Sequence, residues 1–444
     1  MAKEGSLEAP TRHPIDWRSE SYYDAAAIEA EMTRVFDICH GCRRCFNLCD
    51  AFPTLFDMID GSETLEIDGL DPGTDYRKVA DACTLCDMCF MTKCPYVPPH
   101  QFDLDFPHLI LRQRAAAHRR GETPIAVREL AKTDRNGKAL KLIAPLANAL
   151  SSRKDVAGRK GLEAVAGVDA DAELPKYASL TLLNRAAQAE HKGDDGPAKR
   201  RKAVVYATCF ANYNQPRTGE AALAVLDRLG VETEVVHPAC CGMPFLEHGD
   251  VAEVARRAEQ VAAALAPSIA QGCDVIALTA SCGLMLKFEW PLVVPESEAV
   301  KRLAAATKDI CQYVVEVAKA DGTPAGLAPV EGGVAVHMAC HARAQNMGPK
   351  AAEMLRLIPD TKVDVIERCS GHGGTFGVMK ATRPMAVKVA KPAARAVKQA
   401  GAAALCSDCP LACKHLVQVL EDGGDAAPPP KHPIEVFAEA LGVL

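Results

Sequence analysis

Ala203-Val204-Val205-Tyr206-Ala207-Thr208 runs straight into Cys209, and Val334-Ala335-Val336-His337-Met338-Ala339 runs into Cys340 in the same way 131 residues later. A short apolar run that stops abruptly reads as a strand buried on both faces. The pattern repeats within each half. Val235-Val236-His237 leads to Cys240, as Val363-Asp364-Val365-Ile366 leads to Cys369, and these cysteines are offset by 129 residues. Val275-Ile276-Ala277-Leu278 leads to Cys282, and Ala403-Ala404-Leu405 leads to Cys406 and Cys409. Helical patterns separate the strands. Val251, Val254, Ala258, Val261 and Leu265 recur at helix spacing behind the N-cap signature Asp250 to Glu253. Leu223, Leu226 and Leu229 precede Gly230 as a helix precedes its C′ stop. Each half is therefore β-α-β-α-β with parallel strands, and its cysteines gather at the strand C-termini, where open α/β sheets form their sites.

Working outward from this duplication, 444 residues at 48% hydrophobic and 24% charged fit a globular chain of two to four domains and exclude a disordered one. The expected organisation is α+β and α/β multidomain. Residues 1–106 form a helical cysteine-rich domain and 107–200 a basic helical connector, followed by the two duplicated units at 201–320 and 321–444. No run of about 18 apolar residues would span a membrane, and Met1 to Pro14 has no apolar signal core. Nineteen cysteines, an odd number with tight spacings and no export signal, point to metal binding in a reducing cytoplasm and not to a disulfide framework. The net charge of −6 is segregated: residues 1–106 carry −11 and residues 107–160 carry +9.

Two cysteine runs lie in the first domain. Cys39, Cys42, Cys45 and Cys49 follow C-x2-C-x2-C-x3-C; Cys83, Cys86, Cys89 and Cys94 follow C-x2-C-x2-C-x4-C, with Pro95 next. Three thiolates at steps of three can wrap three irons of one cube, and in two-cluster ferredoxins the fourth cysteine of each run serves the other cluster. The expectation is two [4Fe–4S] clusters, one held by Cys39, Cys42, Cys45 and Cys94, the other by Cys83, Cys86, Cys89 and Cys49. A pair of tetrahedral zinc sites is the competing arrangement, and it usually uses paired C-x2-C motifs. Asp50 in place of the usual proline and the extra residue before Cys94 depart from the common run.

Cys240-Cys241-Gly242, with Cys209 before it and Thr279-Ala280-Ser281-Cys282-Gly283 after it, resembles the cysteine-rich CCG domain. That domain occurs in heterodisulfide reductases and in the iron–sulfur subunits of glycolate oxidase and of anaerobic glycerol-3-phosphate dehydrogenase. Ser281 to Pro291 and Cys369-Ser370-Gly371-His372-Gly373-Gly374-Thr375-Phe376-Gly377 look most like the last of these. The resemblance runs through nearly the whole chain in order: dicluster ferredoxin, connector, two CCG units. It implies metal at Cys209, Cys240, Cys241 and Cys282 in the first unit and at Cys340, Cys369, Cys406 and Cys409 in the second. Thr279 stands in place of one family cysteine and Ser370 of another, so each set offers four thiolates, enough for an iron–sulfur cubane or for zinc. These departures weigh against the five-cysteine noncubane cluster. His341 and His372 flank ligand positions, where a hydrogen-bonding role is the simpler reading. Cys273 and Cys311 read as core thiols, and Cys413 is open between the two uses.

No G-x-G-x-x-G or P-loop pattern accompanies these motifs, so no catalytic residue is assigned. The resemblance implies an electron-transfer subunit that takes electrons from a flavoprotein dehydrogenase partner and delivers them to a quinone or another acceptor. A heterodisulfide-reductase-like catalyst and a zinc-stabilised scaffold are the alternatives. Nucleic acid is not expected, because the chain is acidic overall and its basic segment lacks aromatics. Within that segment Leu140, Ile143, Leu146 and Leu150 fall near one face beside Lys138, Lys141, Arg153 and Lys154. This face suggests peripheral contact with the inner side of a membrane, with Pro145 breaking the helix.

Overall fold

Val204, Val205 and Tyr206 are completely buried, as a central parallel strand covered on both faces requires. The computed structural model of the chain describes residues 10–153, 155–188 and 196–444. It places these three residues in β1 (Lys202–Tyr206), between β2 (Glu232–Val236) and β3 (Asp274–Ala277), with β4 (Thr307–Asp309) beyond β3. The second half repeats the arrangement with β5 (Val334–His337), β6 (Val363–Ile366), β7 (Ala404–Ser407) and β8 (Pro430–Lys431). The orders are β2-β1-β3-β4 and β6-β5-β7-β8, and every pairing is parallel.

Three strands per half are legible in the apolar runs; the fourth is not. Thr307-Lys308-Asp309 contains no apolar residue, and β8 is two residues opened by a proline, which only an edge strand accommodates. The helices between strands follow their sequence signals. Helix Val251–Ala270 is capped by the Asp250 carboxylate, which accepts from the Glu253 amide at 3.1 Å. Helix Pro216–Leu229 ends at Gly230 with φ +80°.

Residues upstream of β1 are helical among the described residues, and they are not a free-standing body. One continuous apolar core joins Phe36, Phe52, Phe56 and Phe106 to Val254, Val261 and Trp290 of the first unit. A second core joins the two sheets through Val205, Ile276, Val336 and Phe437. The connector is made of short helices, Thr133–Leu140 and Ala144–Leu150 among them, broken before Pro145 as its ring demands. It reaches the far unit through a bridge between Val168 and Met379. Among the described residues no helix is long and apolar enough to cross a membrane. Lys154 lies outside the described residues.

The loop Gly371-His372-Gly373-Gly374 seats the second unit against its neighbours. A Cβ on Gly371 would lie 2.0 Å from the Ala386 carbonyl oxygen, one on Gly373 2.6 Å from Thr84, and one on Gly374 2.2 Å from Glu247. Gly371 also has φ +71°, whereas Gly401 has φ +59° with open space around it. Gly401→Ala should therefore lose only the left-handed backbone penalty, about 1–2 kcal/mol. Gly371→Ala should lose that and more, because the Ala386 backbone must move. Urea unfolding of the two variants checks this; equal losses would show that the Ala386 contact carries no weight.

Candidate metal centres

Cys39 and Cys42 are three residues apart on the last turn of helix Ala25–Cys42, which puts both sulfurs on one face. Arg43 then takes a left-handed conformation, φ 53°, and turns the chain so that Cys45 comes back toward them. Cys94 arrives from the second run, just beyond helix Met88–Thr92. Cys39, Cys42, Cys45 and Cys94 together line one pocket, walled by Phe52, Phe56 and Tyr96. Burial first, and then the neighbouring Cys94, Cys45 and Cys42, push the Cys39 pKa well up. The same causes, with Cys94 and Cys42 as neighbours, push Cys45 up to about 12.

The second set forms where Leu85 and Asp87, both left-handed, flank Cys86. Cys89 feels the charges of Cys86, Cys83 and Cys49, and Cys49 those of Cys86 and Cys83, on top of burial. The Leu85 amide donates to the Cys83 sulfur at 3.4 Å. Burial raises Cys83 to about 11 even though the Arg114 guanidinium opposes it. The structure thus brings together both crossed quartets, and Cys89 also feels Cys45 of the other quartet.

In the first duplicated unit, β1 and β3 are neighbours whose outgoing connections run to opposite sides, the switch point of a doubly wound sheet. Cys209 follows β1, Cys282 follows β3, and Cys240-Cys241 follow β2. The buried Tyr206 ring sits among all four, its hydroxyl donating to the Ala239 carbonyl at 2.6 Å. Hydrogen bonds from the Cys209 and Cys241 thiols draw the Cys240 pKa well down, and Cys241 also contacts Cys282. The Trp290 indole donates to the Cys241 carbonyl at 3.0 Å. One supporting residue comes from the connector: Asp134 accepts from the Cys240 amide at 2.7 Å and pairs with His237 and Arg257 at 2.8 and 3.1 Å. Burial would raise its pKa, but the His237 hydrogen bond leads the contacts that hold it down to about 2. Nothing in the local sequence marks Asp134, since its partners lie more than 100 residues away.

The second unit differs from expectation. Cys340 contacts Cys86 and feels Cys369 and Cys409. Cys406 is elsewhere. It pairs with Val336 across β5 and β7, is fully buried in the apolar core, and has Cys413 as its first electrostatic neighbour. The register explains the displacement. Tyr206 pairs with Ala277, and its counterpart His337 pairs with Ser407, so two residues further on Thr279 matches Cys409. Both cap helices, Ala280–Leu284 and Pro410–Asp422. Cys406 therefore matches Ile276, a core strand residue. The second set is Cys340, Cys369 and Cys409, with Cys86 of the first domain against it.

The remaining residues fall into supporting places. The Gly371 amide donates to the Cys369 sulfur at 3.3 Å. His341 bonds Ser281 through Nδ1 at 2.8 Å, and burial pushes His372 down to about 3. Cys311 and Cys413 are core thiols, whereas Cys273 is half-buried at the start of β3. Among the described residues, no three cysteine sulfurs lie within 4.8 Å of one another. Four sulfurs on one zinc, each about 2.3 Å from the ion, would be roughly 3.8 Å apart. A cubane separates its thiolates further, because each sulfur caps its own iron.

Residues 203–287 and 334–417 each match the cysteine-rich CCG domain family. The chain belongs to this family of CCG proteins. It is 27% identical over 322 residues to the C subunit of the anaerobic glycerol-3-phosphate dehydrogenase of Escherichia coli K12, covering 70% of this chain and 76% of the relative. It is 32% identical over 188 residues to lactate utilization protein A of Geobacillus kaustophilus HTA426, covering 40% and 74%. To the protein of the same name from Bacillus pumilus SAFR-032 it is 28% identical over 210 residues, covering 45% and 84%.

The placement of Cys406 yields a direct test. Cys409→Ala should lower the metal content of the cluster-loaded chain. Cys406→Ala should leave metal unchanged and lower stability by about 1 kcal/mol through the cavity it opens. Metal analysis of both variants checks the register; loss of metal from Cys406→Ala alone would reverse it.

Proposed function

We propose that this chain is an iron–sulfur electron-transfer subunit, with [4Fe–4S] clusters on the two crossed quartets and further iron–sulfur groups on the CCG cysteines. The observation that carries the reading is that the four sets are contiguous. Cys45 neighbours Cys89, Cys86 contacts Cys340, and Cys409 feels Cys282. Clusters, when bound, take up and release single electrons. The chain's own residues would hold them in series, exclude water from them, and hydrogen-bond their sulfurs through the Leu85 and Gly371 amides, one lever on potential. The relatives' names place them in a glycerol-3-phosphate dehydrogenase and in lactate utilization, and we take the donor to be a flavoprotein dehydrogenase subunit and the acceptor a quinone. The C-x2-C-x2-C runs favour clusters over a zinc scaffold, which usually uses paired C-x2-C motifs.

Anaerobically purified chain should be brown, with about eight irons or more. Cys94→Ala should disturb the EPR signal of the cluster on Cys39, Cys42 and Cys45 and remove up to about four irons. If it disturbs the cluster on Cys83, Cys86 and Cys89 instead, the crossed assignment is wrong. A colourless zinc protein would sink the electron-transfer reading.

For access to a quinone we propose peripheral contact through the connector. Leu142 is 78% exposed and Leu146 57%, with Ile143 and Leu150 about half exposed beside them. Lys141 shares the turn Lys141–Ile143 with Leu142 and Ile143, and Lys138 lies on the preceding helix, while Arg153 is taken up by Asp422 at 2.6 Å. Much of the local positive charge is spent inside the protein, as Arg119 on Glu20 and Arg135 on Glu129 illustrate. The contact should therefore depend on the leucines at least as much as on the lysines, each engaged lysine adding about 1 kcal/mol. In liposome sedimentation, binding should need anionic lipid and fall when Leu142 and Leu146 are changed to Gln. Absence of binding by the cluster-loaded chain would leave a soluble acceptor.

A further inference from the structure

His118, His248 and Asp250 bring their ligand atoms within 4.8 Å of one another, and no cysteine belongs to the group. Their arrangement is built, not incidental. His118 lies on the last turn of helix Phe106–Arg119, which leaves the first cysteine domain, and its Nδ1 is 3.0 Å from the Thr123 hydroxyl. His248 donates its Nδ1–H to the Pro244 carbonyl at 2.8 Å. A carbonyl only accepts, so this bond fixes the tautomer and leaves Nε2 as a free lone pair. Asp250 commits one oxygen to the helix cap, while the other lies 3.7 Å from His118 Nε2. Gly249 between them has φ +88°, and a Cβ there would lie 2.4 Å from the Arg114 backbone. Glycine alone lets this loop approach the helix closely enough to set the three groups together.

We propose that His118, His248 and Asp250 form a divalent transition-metal site, best suited to Zn²⁺. Two imidazoles and one carboxylate are borderline ligands of the kind zinc takes, at about 2.0–2.2 Å each, so ligand atoms about 3.4 Å apart are needed. The His118–Asp250 pair is already close to that separation. His248 is buried, while the His118 and Asp250 side chains are 24% and 26% exposed, which leaves an open side for water as further ligand. The ion would pin the exit helix of the first domain to the loop that follows Cys240-Cys241. The alternative use is a metal-free contact between His118 and Asp250, and the experiment separates the two.

Cluster-loaded full-length chain is equilibrated with zinc sulfate, freed of excess, and analysed for zinc, iron and sulfide, with zinc-edge X-ray absorption on the same samples. Wild type should hold one zinc bound by nitrogen and oxygen. His118→Gln and His248→Gln should each lose it with iron and sulfide unchanged. Asp250→Asn retains a good helix cap and should bind at least about tenfold more weakly while remaining folded. Equal zinc in wild type and in the His118→Gln/His248→Gln double variant, or zinc bound through sulfur only, would overturn the proposal. Unchanged iron keeps that outcome distinct from any failure of the cluster reading.

Discussion

Arg12 holds the molecule's regions in register. Its guanidinium, nearly buried, reaches Asp87 at 2.7 Å and both Asp105 and Glu289 at 2.9 Å, while His108 bonds Glu289 at 3.1 Å. Asp87 lies between Cys86 and Cys89; Glu289 lies seven residues beyond Cys282. One cation thus fixes the second cysteine run against the first duplicated unit. The charges do not balance. Arg12 and His108 face three carboxylates, and the deficit falls on Asp87. Burial first, then Glu289, lift its pKa to about 6 against the pull of Arg12. Burial acts on Glu289 too, but His108 and Arg12 bring it down to about 2. Removing either partner of such a buried pair strands a charge, at about 3–5 kcal/mol, so the network resists piecemeal change.

That registration is what makes the four thiol sets adjacent. Sheet topology alone would give each unit its own cluster of strand-end cysteines and nothing more. The N-terminal domain adds Cys86, held against Cys340, and the glycine loop Gly371 to Gly374 lets Thr84 and Glu247 press against the second unit. Most of these buried thiols favour the protonated form while they stand alone, because burial and mutual repulsion both oppose ionisation; Cys240 and Cys86, drawn down by hydrogen bonds from neighbouring thiols, are the exceptions. A bound metal reverses that balance by supplying the positive charge that the protein withholds.

Much of this was legible from the chain itself, where the deciding contacts are local. The strands at Val204 and Val336, the capped helix after Asp250 and the stop at Gly230 each follow from a handful of consecutive residues. The grouping of Cys39 with Cys42 and Cys45, and of Cys83 with Cys86 and Cys89, follows from spacing, because steps of three put sulfurs on one side of a turn. Asp134, Arg12 and the Cys86–Cys340 contact were not legible, since each joins segments more than 70 residues apart and leaves no periodicity behind. The edge strands are silent in the sequence because three and two polar or proline-bearing residues carry no strand signal.

Cys406 shows how narrow the margin is. Read as a spacing, Cys406 and Cys409 form a C-x2-C pair as good as any in the first domain. Read as a strand, the same residues diverge. Cys406 is still within β7 and points its sulfur into the core, whereas Cys409 lies past the strand end, where the chain turns into the next helix. A spacing motif places two sulfurs together only when the backbone between them is a turn, and here it is still strand through Ser407. The duplication supplies the correction, because Ile276, the counterpart in the first unit, is unmistakably a core residue. The second unit is thereby left with three converging cysteines of its own, and the neighbour that meets them, Cys86, comes from a part of the chain that was not duplicated.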